Sequence, residues 1–292
     1  MIEIRTADAA KIGLVLELSG EFGLNVGIGS ECCVHKLPGP GQVDEIASQV
    51  DDLAVVTPIT PQKHYDRVLD FIRGLPRGVR LVVNDVGVLY SLYRNGTLDG
   101  FSAVVAGRGI VHTSEACPWV DHLLRDESKE VKDAFLQTNL NYSRTLGFFR
   151  YMGVTALETD LELRTVEAAL RTGLPVAGHA EFIAVSYARS CHTARFFGEV
   201  PPGCTGRCNA PMELELVDMF DLSGSPPGFA QPSPEMLGIF PKLYLLGATI
   251  FMKRDVHYVQ GMERVIVNGD MYDPAKLRDV VMAFVEGMGK PV

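Results

Sequence analysis

The chain has 292 residues, of which 47% are hydrophobic and 22% charged, and its formal net charge is -9. This composition is typical of a globular protein, and the negative charge argues against nonspecific DNA binding while leaving a local RNA-binding patch open. There is no run of about twenty apolar residues, and the opening residues MIEIRTADAAKIG lack the features of a signal peptide, so we expect a cytoplasmic protein without a membrane span.

Nine short runs of mostly apolar residues are predicted to be β-strands. Nearly continuous hydrophobicity of this kind is typical of strands that are buried on both faces of a sheet. In chain order, the predicted strands are residues 12–18, 24–29, 53–58, 80–85, 101–107, 154–159, 174–182, 242–251 and 264–269.

Amphipathic helices are predicted between many of these strands, because apolar residues recur there at helical spacing. The predicted helices are residues 61–75, 140–153, 161–173 and 273–289. Residues 110–138 and 209–240 interrupt the alternation of strands and helices. The second of these segments is rich in Gly, Pro and Ser and is too long for a simple connection, so we expect it to cover a functional site.

Eight or nine strands alternating with helices indicate a (β/α)8 barrel of the TIM type, irregular in places. We therefore predict one barrel domain over residues 1–292, in which residues 186–240 form a cysteine-bearing loop and excursion at the C-terminal mouth. An open, doubly wound sheet is the alternative. It would be expected to carry a phosphate-binding motif after its first strand, and neither GxGxxG nor GxxxxGK is present there.

Three of the six cysteines lie together in the segment SCHTARFFGEVPPGCTGRCNAP, where Cys191, Cys204 and Cys208 have the spacing Cys-x12-Cys-x3-Cys. A fourth thiol is available from Cys32 or Cys33 in GSECCVHK, which follows a predicted strand and would reach the same end of a barrel. Four thiolates are suited to a [4Fe–4S] cluster. Zinc is the alternative metal, although structural zinc sites usually contain two close cysteine pairs and this loop supplies one.

Four further polar residues lie at the predicted C-terminal ends of strands, where barrel enzymes place their substrate-binding groups. These candidates are Asp85, Glu158, His179 and Glu181. A buried salt bridge is the alternative role for Asp85 and Glu158, and a structural role is the alternative for His179.

Arg189, Arg195 and Arg207 lie close in sequence to the clustered cysteines. Such arginines could offset the negative charge of a thiolate-bound cluster or hold a substrate carboxylate, and ordinary surface arginine is the alternative. We interpret the remaining cysteines, Cys32 and Cys117, as small buried hydrophobic side chains.

The segment AVSYARSCHTARFFGEVPPGCTGRC resembles the signature region of the peptidase U32 family, and within it the UbiV-like branch of ubiquinone biosynthesis proteins. The spacing of its three cysteines matches that region completely. GSECCVHK resembles the turn that carries the family's remaining cysteine, and alignment of its glycine implies Cys33 rather than Cys32 at that position. The segments VVNDVGV and ERVIVNGDMYDPAKLRDVVMAF resemble two further parts of the family, so the resemblance spans most of the chain.

Three positions depart from the typical pattern of this family. Ala184 stands where such members have another cysteine, Ala180 and Glu181 replace a His-Gly pair, and Asp270 replaces a closing arginine. These departures argue against peptidase activity and favour the UbiV-like branch.

The resemblance implies a subunit of an oxygen-independent hydroxylase that carries a [4Fe–4S] cluster on Cys33, Cys191, Cys204 and Cys208. It further implies a quinone precursor or similar small aromatic or lipid-quinone substrate, a prephenate-type oxygen donor and a UbiU-like partner subunit. A U32-type peptidase or other hydrolase is one alternative, although neither HExxH nor GxSxG is present. A non-catalytic iron–sulfur scaffold or electron-transfer subunit is another.

Overall fold

The centre of the molecule is a closed barrel of eight parallel strands with helices on its outside, which is a TIM-like α/β barrel. The computed structural model describes residues 1–199, 204, 206–214, 238, 241–254 and 260–288. The barrel strands are β1 (Ile2–Thr6), β2 (Asn25–Gly29), β3 (Leu53–Val56), β4 (Arg80–Val83), β5 (Ala103–Ala106), β6 (Ala156–Asp160), β7 (Val176–His179) and β12 (Arg264–Asn268). Their order around the barrel is β1-β12-β7-β6-β5-β4-β3-β2. The barrel closes at β1, where Ile4 pairs with Val26 of β2 and with Val267 of β12.

Helices follow most of the barrel strands and bury apolar side chains against their outer faces. They are α1 (Ile12–Phe22), α2 (Pro40–Ala47), α3 (Tyr65–Arg73), α4 (Val86–Arg94), α5 (Val120–Leu123), α6 (Lys129–Phe135), α7 (Ser143–Tyr151), α8 (Leu163–Leu170), α9 (His192–Phe196) and α10 (Pro274–Met288). In α3, for example, Val68, Leu69 and Ile72 are buried on one face of the helix. In the part of the chain that the structure describes, no helix is long and apolar enough to cross a membrane.

The first predicted strand, residues 12–18, is wrong, because this segment lies in helix α1. Its apolar run contains Val15 and Leu18, which lie on the same buried face of that helix. The actual first strand is β1, in which charged Glu3 and Arg5 alternate with Ile2 and Ile4. All five residues of β1 are buried, so the charged side chains lie inside the barrel.

Two other predicted strands are each divided in the structure. Residues 242–251 correspond to a hairpin of β10 (Leu243–Leu246) and β11 (Thr249–Lys253), which lies outside the barrel. Residues 174–182 contain β7 and then a sharp turn at Glu181, after which β8 (Phe182–Tyr187) begins. Glu181 has a φ of 58°, and the amide of Phe182 donates to the carbonyl oxygen of Ala180 at 2.6 Å, which closes a three-residue turn.

These strands and β9 (Met212–Leu214) form a second, antiparallel sheet of order β8-β11-β10-β9 between β7 and β12. This sheet lies against the C-terminal ends of β5 and β6. Arg108, just after β5, donates to the carbonyl oxygen of Phe182, and Asp160 at the end of β6 accepts from the amide of Ala184. The predicted excursion of residues 186–240 thus includes the end of β8, α9 and β9, while residues 200–203, 205, 215–237 and 239–240 lie outside the described residues.

The remaining predicted strands and all four predicted helices are confirmed, with small differences in their bounds. They could be recognised because each strand is a continuous apolar run and each helix has apolar residues at helical spacing.

The barrel interior contains a network of ion pairs. The Nε atom of Arg5 donates to Glu3 Oε1 at 2.5 Å, and its two terminal nitrogens donate to the two oxygens of Glu158. At the N-terminal end of the barrel, Arg80 and Arg264 both donate to Glu3 Oε2, at 2.5 and 3.1 Å. Because Glu3 and Glu158 are 0% and 1% exposed, their charges are stable in this position only through these partners.

Candidate functional site

The turn after β2 places Cys32 and Cys33 at the C-terminal end of the barrel. It begins at Gly29, whose φ is 94° and where a Cβ would lie 2.3 Å from the carbonyl oxygen of Val56, so only glycine fits. The Ser30 hydroxyl oxygen then accepts the amides of Cys32 and Cys33 at 3.0 and 3.1 Å. These two hydrogen bonds fix the backbone of the cysteine turn.

The β10–β11 hairpin joins this turn to the segment that carries Cys191. The amide of Ala248 donates to the carbonyl oxygen of Cys32 at 2.9 Å, and the Cys191 thiol contacts the carbonyl oxygen of Gly247 at 3.4 Å. Gly247 has a φ of 61°, and a Cβ there would lie 2.8 Å from the Cys32 carbonyl oxygen. Cys33 and Cys191 therefore lie at the same end of the barrel, as the sequence predicted.

Cys208 also reaches this turn. The Lys36 ammonium group donates to the carbonyl oxygen of Cys208 at 2.6 Å, and the thiols of Cys33 and Cys208 are close enough to change each other's pKa. Cys191 and Cys204 lie within electrostatic range of Cys33. The fold thus places Cys33, Cys191 and Cys208 around the same turn, and Cys204 lies within electrostatic range of it.

The interaction between the thiols of Cys33 and Cys208 gives the two groups different acidities. It lowers the pKa of Cys33 against the opposing effect of burial, and the amide of His35 lowers it further. The same interaction, followed by burial, raises the pKa of Cys208. Burial raises the pKa of Cys191. The pair therefore favours one thiolate, which is the form of cysteine that binds metals.

The donor set at this turn fits a thiolate-bound metal group in its chemistry. All six cysteines are free, with Cys33 and Cys191 half-buried and Cys204 exposed. Four thiols at one end of a barrel are the ligands of [4Fe–4S] clusters and of some structural zinc sites. Among the described residues, however, no group of three or more His, Cys, Asp and Glu side chains has an arrangement that could hold a metal ion.

Cys32 and Cys117 occupy different surroundings. Cys32 is buried among Phe182, Leu246 and Phe251, and its burial raises the pKa of the thiol well above its usual range. It is the buried apolar side chain that the sequence suggested. Cys117 is only half-buried, so the same interpretation is wrong for it, because it lies on the wall of a cavity.

Asp85 and Arg189, two predicted pocket residues, are paired with each other. One oxygen of Asp85 caps helix α4 by accepting the amides of Gly87 and Val88 at 2.8 and 3.2 Å. The other accepts the amide of Thr60 at 3.2 Å and lies 3.0 Å from a guanidinium nitrogen of Arg189. Both carboxylate oxygens of Asp85 are therefore engaged within the protein.

Glu158 lies in the middle of β6 rather than at its end, because the strand continues to Asp160. The prediction of a strand-end position is wrong for this residue. Arg5 contacts both of its oxygens, and His179 Nε2 lies 3.2 Å from one of them. Burial would raise the pKa of Glu158, but Arg5 and His179 lower it far below its usual range, so the carboxylate is ionised.

The other predicted pocket residues are dispersed over the mouth. His179 ends β7 and faces the barrel interior, where it is 4% exposed. Glu181 accepts a hydrogen bond from the Tyr272 hydroxyl and lies 3.5 Å from the Lys253 ammonium group. Arg195 is exposed on α9.

A buried arginine at the mouth, Arg108, was not identified from the sequence. It donates to both oxygens of Glu31 at 2.8 and 2.5 Å and to Asp160 at 2.6 Å, and its guanidinium group lies over the ring of Phe251. The Tyr187 hydroxyl also donates to Glu31 at 3.1 Å. Its position could have indicated a role at the mouth, because Arg108 directly follows the predicted strand of residues 101–107.

In the part of the chain that the structure describes, three cavities lie around this group of residues. The largest, about 560 Å³, is lined by Arg108, Asp160 and Tyr187 together with Cys117 and Phe135. A cavity of about 220 Å³ lies beside Lys36 and Asn209, next to the cysteine turn. A third, of about 30 Å³, lies inside the mouth and includes His179 and Ser30.

Comparisons of the chain with models of protein families, with curated proteins and with solved structures found no match. The function must therefore be argued from the cysteine pattern and from the residues that the fold brings to the barrel mouth.

Proposed function

We propose that the chain is an iron–sulfur protein that binds a [4Fe–4S] cluster through Cys33, Cys191, Cys204 and Cys208 and acts as a subunit of an oxygen-independent hydroxylase. The observation that supports the proposal is that Cys33, Cys191 and Cys208, which come from distant parts of the sequence, lie around one turn at the same end of the barrel. In TIM-type barrels this is the end where active sites are built.

The charges around the thiols are suited to a thiolate-bound cluster, which carries a net negative charge. Lys36 donates to the backbone of Cys208 and also acts electrostatically on its thiol. Arg207 packs over the ring of Phe197, and Arg195 is exposed nearby on α9. When bound, the cluster would supply one-electron chemistry at a potential tuned by such neighbouring charges and by solvent exposure.

The cavity of about 560 Å³ is the best candidate for the aromatic substrate, because its volume is in the range of small-molecule sites. Its charged groups, Arg108 and Asp160, are paired with each other, so they favour an uncharged ligand over a carboxylate. Phe135 contributes an aromatic surface, and Ser186 contributes a hydroxyl group. A quinone precursor or related phenol has this combination of an uncharged ring and hydrogen-bonding oxygens.

The Arg108–Glu31–Tyr187 group lies between this cavity and the cysteine turn. Arg108 and Tyr187 line the cavity, and both donate to Glu31, which lies two residues before Cys33. These residues fix the cavity wall relative to the cysteine turn. The oxygen donor, a prephenate-type compound, and a UbiU-like partner subunit belong to the proposal through the family resemblance alone.

An electron-transfer subunit without catalytic activity is a second candidate. The observation in its favour is the donor set itself, because four cysteine ligands leave no iron position open to a substrate.

A gene deletion under anaerobic growth tests the proposed function. We expect the deletion strain to lose a hydroxylated quinone or nucleoside, detected by mass spectrometry, and we expect the wild-type gene to restore it. Cys204→Ser should fail to restore the product, whereas Ser143→Ala, at an exposed serine of α7, should restore it. If every hydroxylated product persists and a peptide-processing defect appears, the chain is a hydrolase.

A further inference from the structure

The smallest of the three cavities has room for a water molecule. It measures about 30 Å³ and lies inside the barrel mouth, where its wall includes Thr6, Ser30, His179 and Asp270. A space of roughly 10–15 Å³ on this measure is enough to hold a water molecule, and buried waters typically form about three hydrogen bonds to polar groups. The cavity is therefore large enough for one water and is lined by groups that can bind it.

One wall of this cavity carries a buried nitrogen atom that needs a hydrogen-bond donor. His179 is 4% exposed, and its Nδ1 atom has no hydrogen-bond partner among the described residues. Its Nε2 atom faces Glu158 at 3.2 Å. Because Glu158 is ionised by its pairing with Arg5, it can only accept, so Nε2 carries the ring hydrogen.

The imidazole ring of His179 is therefore neutral with a bare lone pair on Nδ1. Burial and the positive charge of Arg108 lower the pKa of His179, which agrees with a neutral ring near pH 7. A buried acceptor without a partner is unfavourable by about 1–3 kcal/mol, so native structures nearly always provide such an atom with a donor.

On the wall of the same cavity, Ser30 has a hydroxyl hydrogen that needs an acceptor. Its hydroxyl oxygen accepts the amides of Cys32 and Cys33, which uses both of its lone pairs. The hydroxyl hydrogen is then left to donate. Asp270 accepts from the Thr6 hydroxyl at 2.6 Å and from the amide of Ala7 at 2.8 Å, and a carboxylate has room for further donors.

We propose that one buried water molecule binds in this cavity, where it donates hydrogen bonds to His179 Nδ1 and to Asp270 and accepts one from the Ser30 hydroxyl group. The water connects the Arg5–Glu158–His179 chain of the barrel interior to the residue that holds the backbone of the cysteine turn. The inference does not depend on the proposed function, because it uses only groups of the protein and water.

A crystal structure of the full chain at a resolution that shows ordered water tests the inference directly. We expect one density peak at hydrogen-bonding distance from His179 Nδ1, about 2.7–3.2 Å, that also contacts Ser30. A cavity without density, or a protein donor on Nδ1, would overturn the inference.

Nitrogen NMR of the protein labelled in its histidines tests the same claim in solution. In the wild-type protein, the spectrum should show His179 as the tautomer with its hydrogen on Nε2. The chemical shift of Nδ1 should be that of a nitrogen that accepts a hydrogen bond, not that of a free lone pair. Ser30→Ala removes the donor to the water and should shift the Nδ1 signal. Ser19→Ala is the matched control, because Ser19 is also buried and hydrogen-bonded, to Leu24, but lies elsewhere. A His179 ring protonated on Nδ1, or equal spectra for the two variants, would refute the water bridge.

Discussion

Replacement of Arg5 by methionine tests whether the barrel interior depends on its ion pairs. Arg5 contacts Glu3 and both oxygens of Glu158, and methionine would leave these buried carboxylates without that cation. Glu3 would keep Arg80 and Arg264, but Glu158 would keep only His179. Removal of one partner from a buried ion pair typically costs about 3–5 kcal/mol, and we expect Arg5→Met to lower the free energy of unfolding by about this amount at neutral pH.

The pH dependence of this loss follows from the pKa values. In the wild-type protein burial opposes ionisation of Glu3 and Glu158, but their cationic partners lower both pKa values below the ordinary 4.5. Their contribution to stability is therefore present above pH 4.5 and is lost as the pH falls. In Arg5→Met, burial should dominate at Glu158 and raise its pKa, so this variant should lose stability as the pH rises. The difference between the two proteins should grow from pH 4 to pH 7.

Urea unfolding at several pH values, followed by circular dichroism, measures this difference. Arg278→Met is the matched control, because Arg278 pairs with Glu17 and Glu21 on the surface, where ion pairs contribute little. If Arg5→Met at pH 7 were no less stable than Arg278→Met, or if its stability loss did not depend on pH, the account of the barrel interior would be refuted.

Three further substitutions test individual parts of the mouth. Gly247→Ala should lower the melting temperature, because φ is 61° and the new Cβ would lie 2.8 Å from a carbonyl oxygen. Gly20→Ala in helix α1 is the control, because open space surrounds it and alanine should stabilise the helix by about 0.5–1 kcal/mol. Melting-temperature shifts of the same sign in both variants would contradict the strain at Gly247. Asp85→Ala should cost about 1 kcal/mol through loss of the α4 cap, and a urea midpoint equal to the wild-type value would show that the cap is unimportant. Despite burial, Arg108 lowers the pKa of Glu31 to about 2, so this carboxylate stabilises the fold above pH 4.5 and ceases to do so as the pH falls towards 2. In Glu31→Gln, the fall in the free energy of unfolding between pH 4.5 and pH 2 should be about 3 kcal/mol smaller than in the wild-type protein. An unchanged fall would count against the Arg108–Glu31 pairing.

The barrel was predictable because most of its strands are buried on both faces and therefore appear in the sequence as apolar runs. β1 was missed for the opposite reason. Its Glu3 and Arg5 face the interior, where they are neutralised by Arg80 and Glu158, and these partners lie 77 and 153 residues away in sequence. No local pattern can indicate that a charged side chain will find such a distant partner.

The same distinction applies to the candidate site. The spacing of the clustered cysteines is local, and a parallel barrel places the ends of all its strands at one mouth, so a cysteine after β2 could be expected at the same end as Cys191. The role of Arg108 could not, because its partners Glu31 and Asp160 lie 77 and 52 residues away. Glu158 was misplaced because β6 extends two residues beyond it, and the hydrophobic pattern does not fix that boundary.

The central claim is that four cysteines bind an iron–sulfur cluster, and the metal content of anaerobically purified protein tests it most directly. The measurement combines iron, sulfide and zinc analysis with optical and EPR spectra of the wild-type protein, Cys204→Ser and Cys117→Ser. We predict about four iron and four sulfide ions per chain in the wild-type protein, as a [4Fe–4S] cluster requires, a clear loss of both in Cys204→Ser, and wild-type values in Cys117→Ser. Zinc in place of iron, or equal iron in Cys204→Ser and the wild-type protein, would contradict the claim.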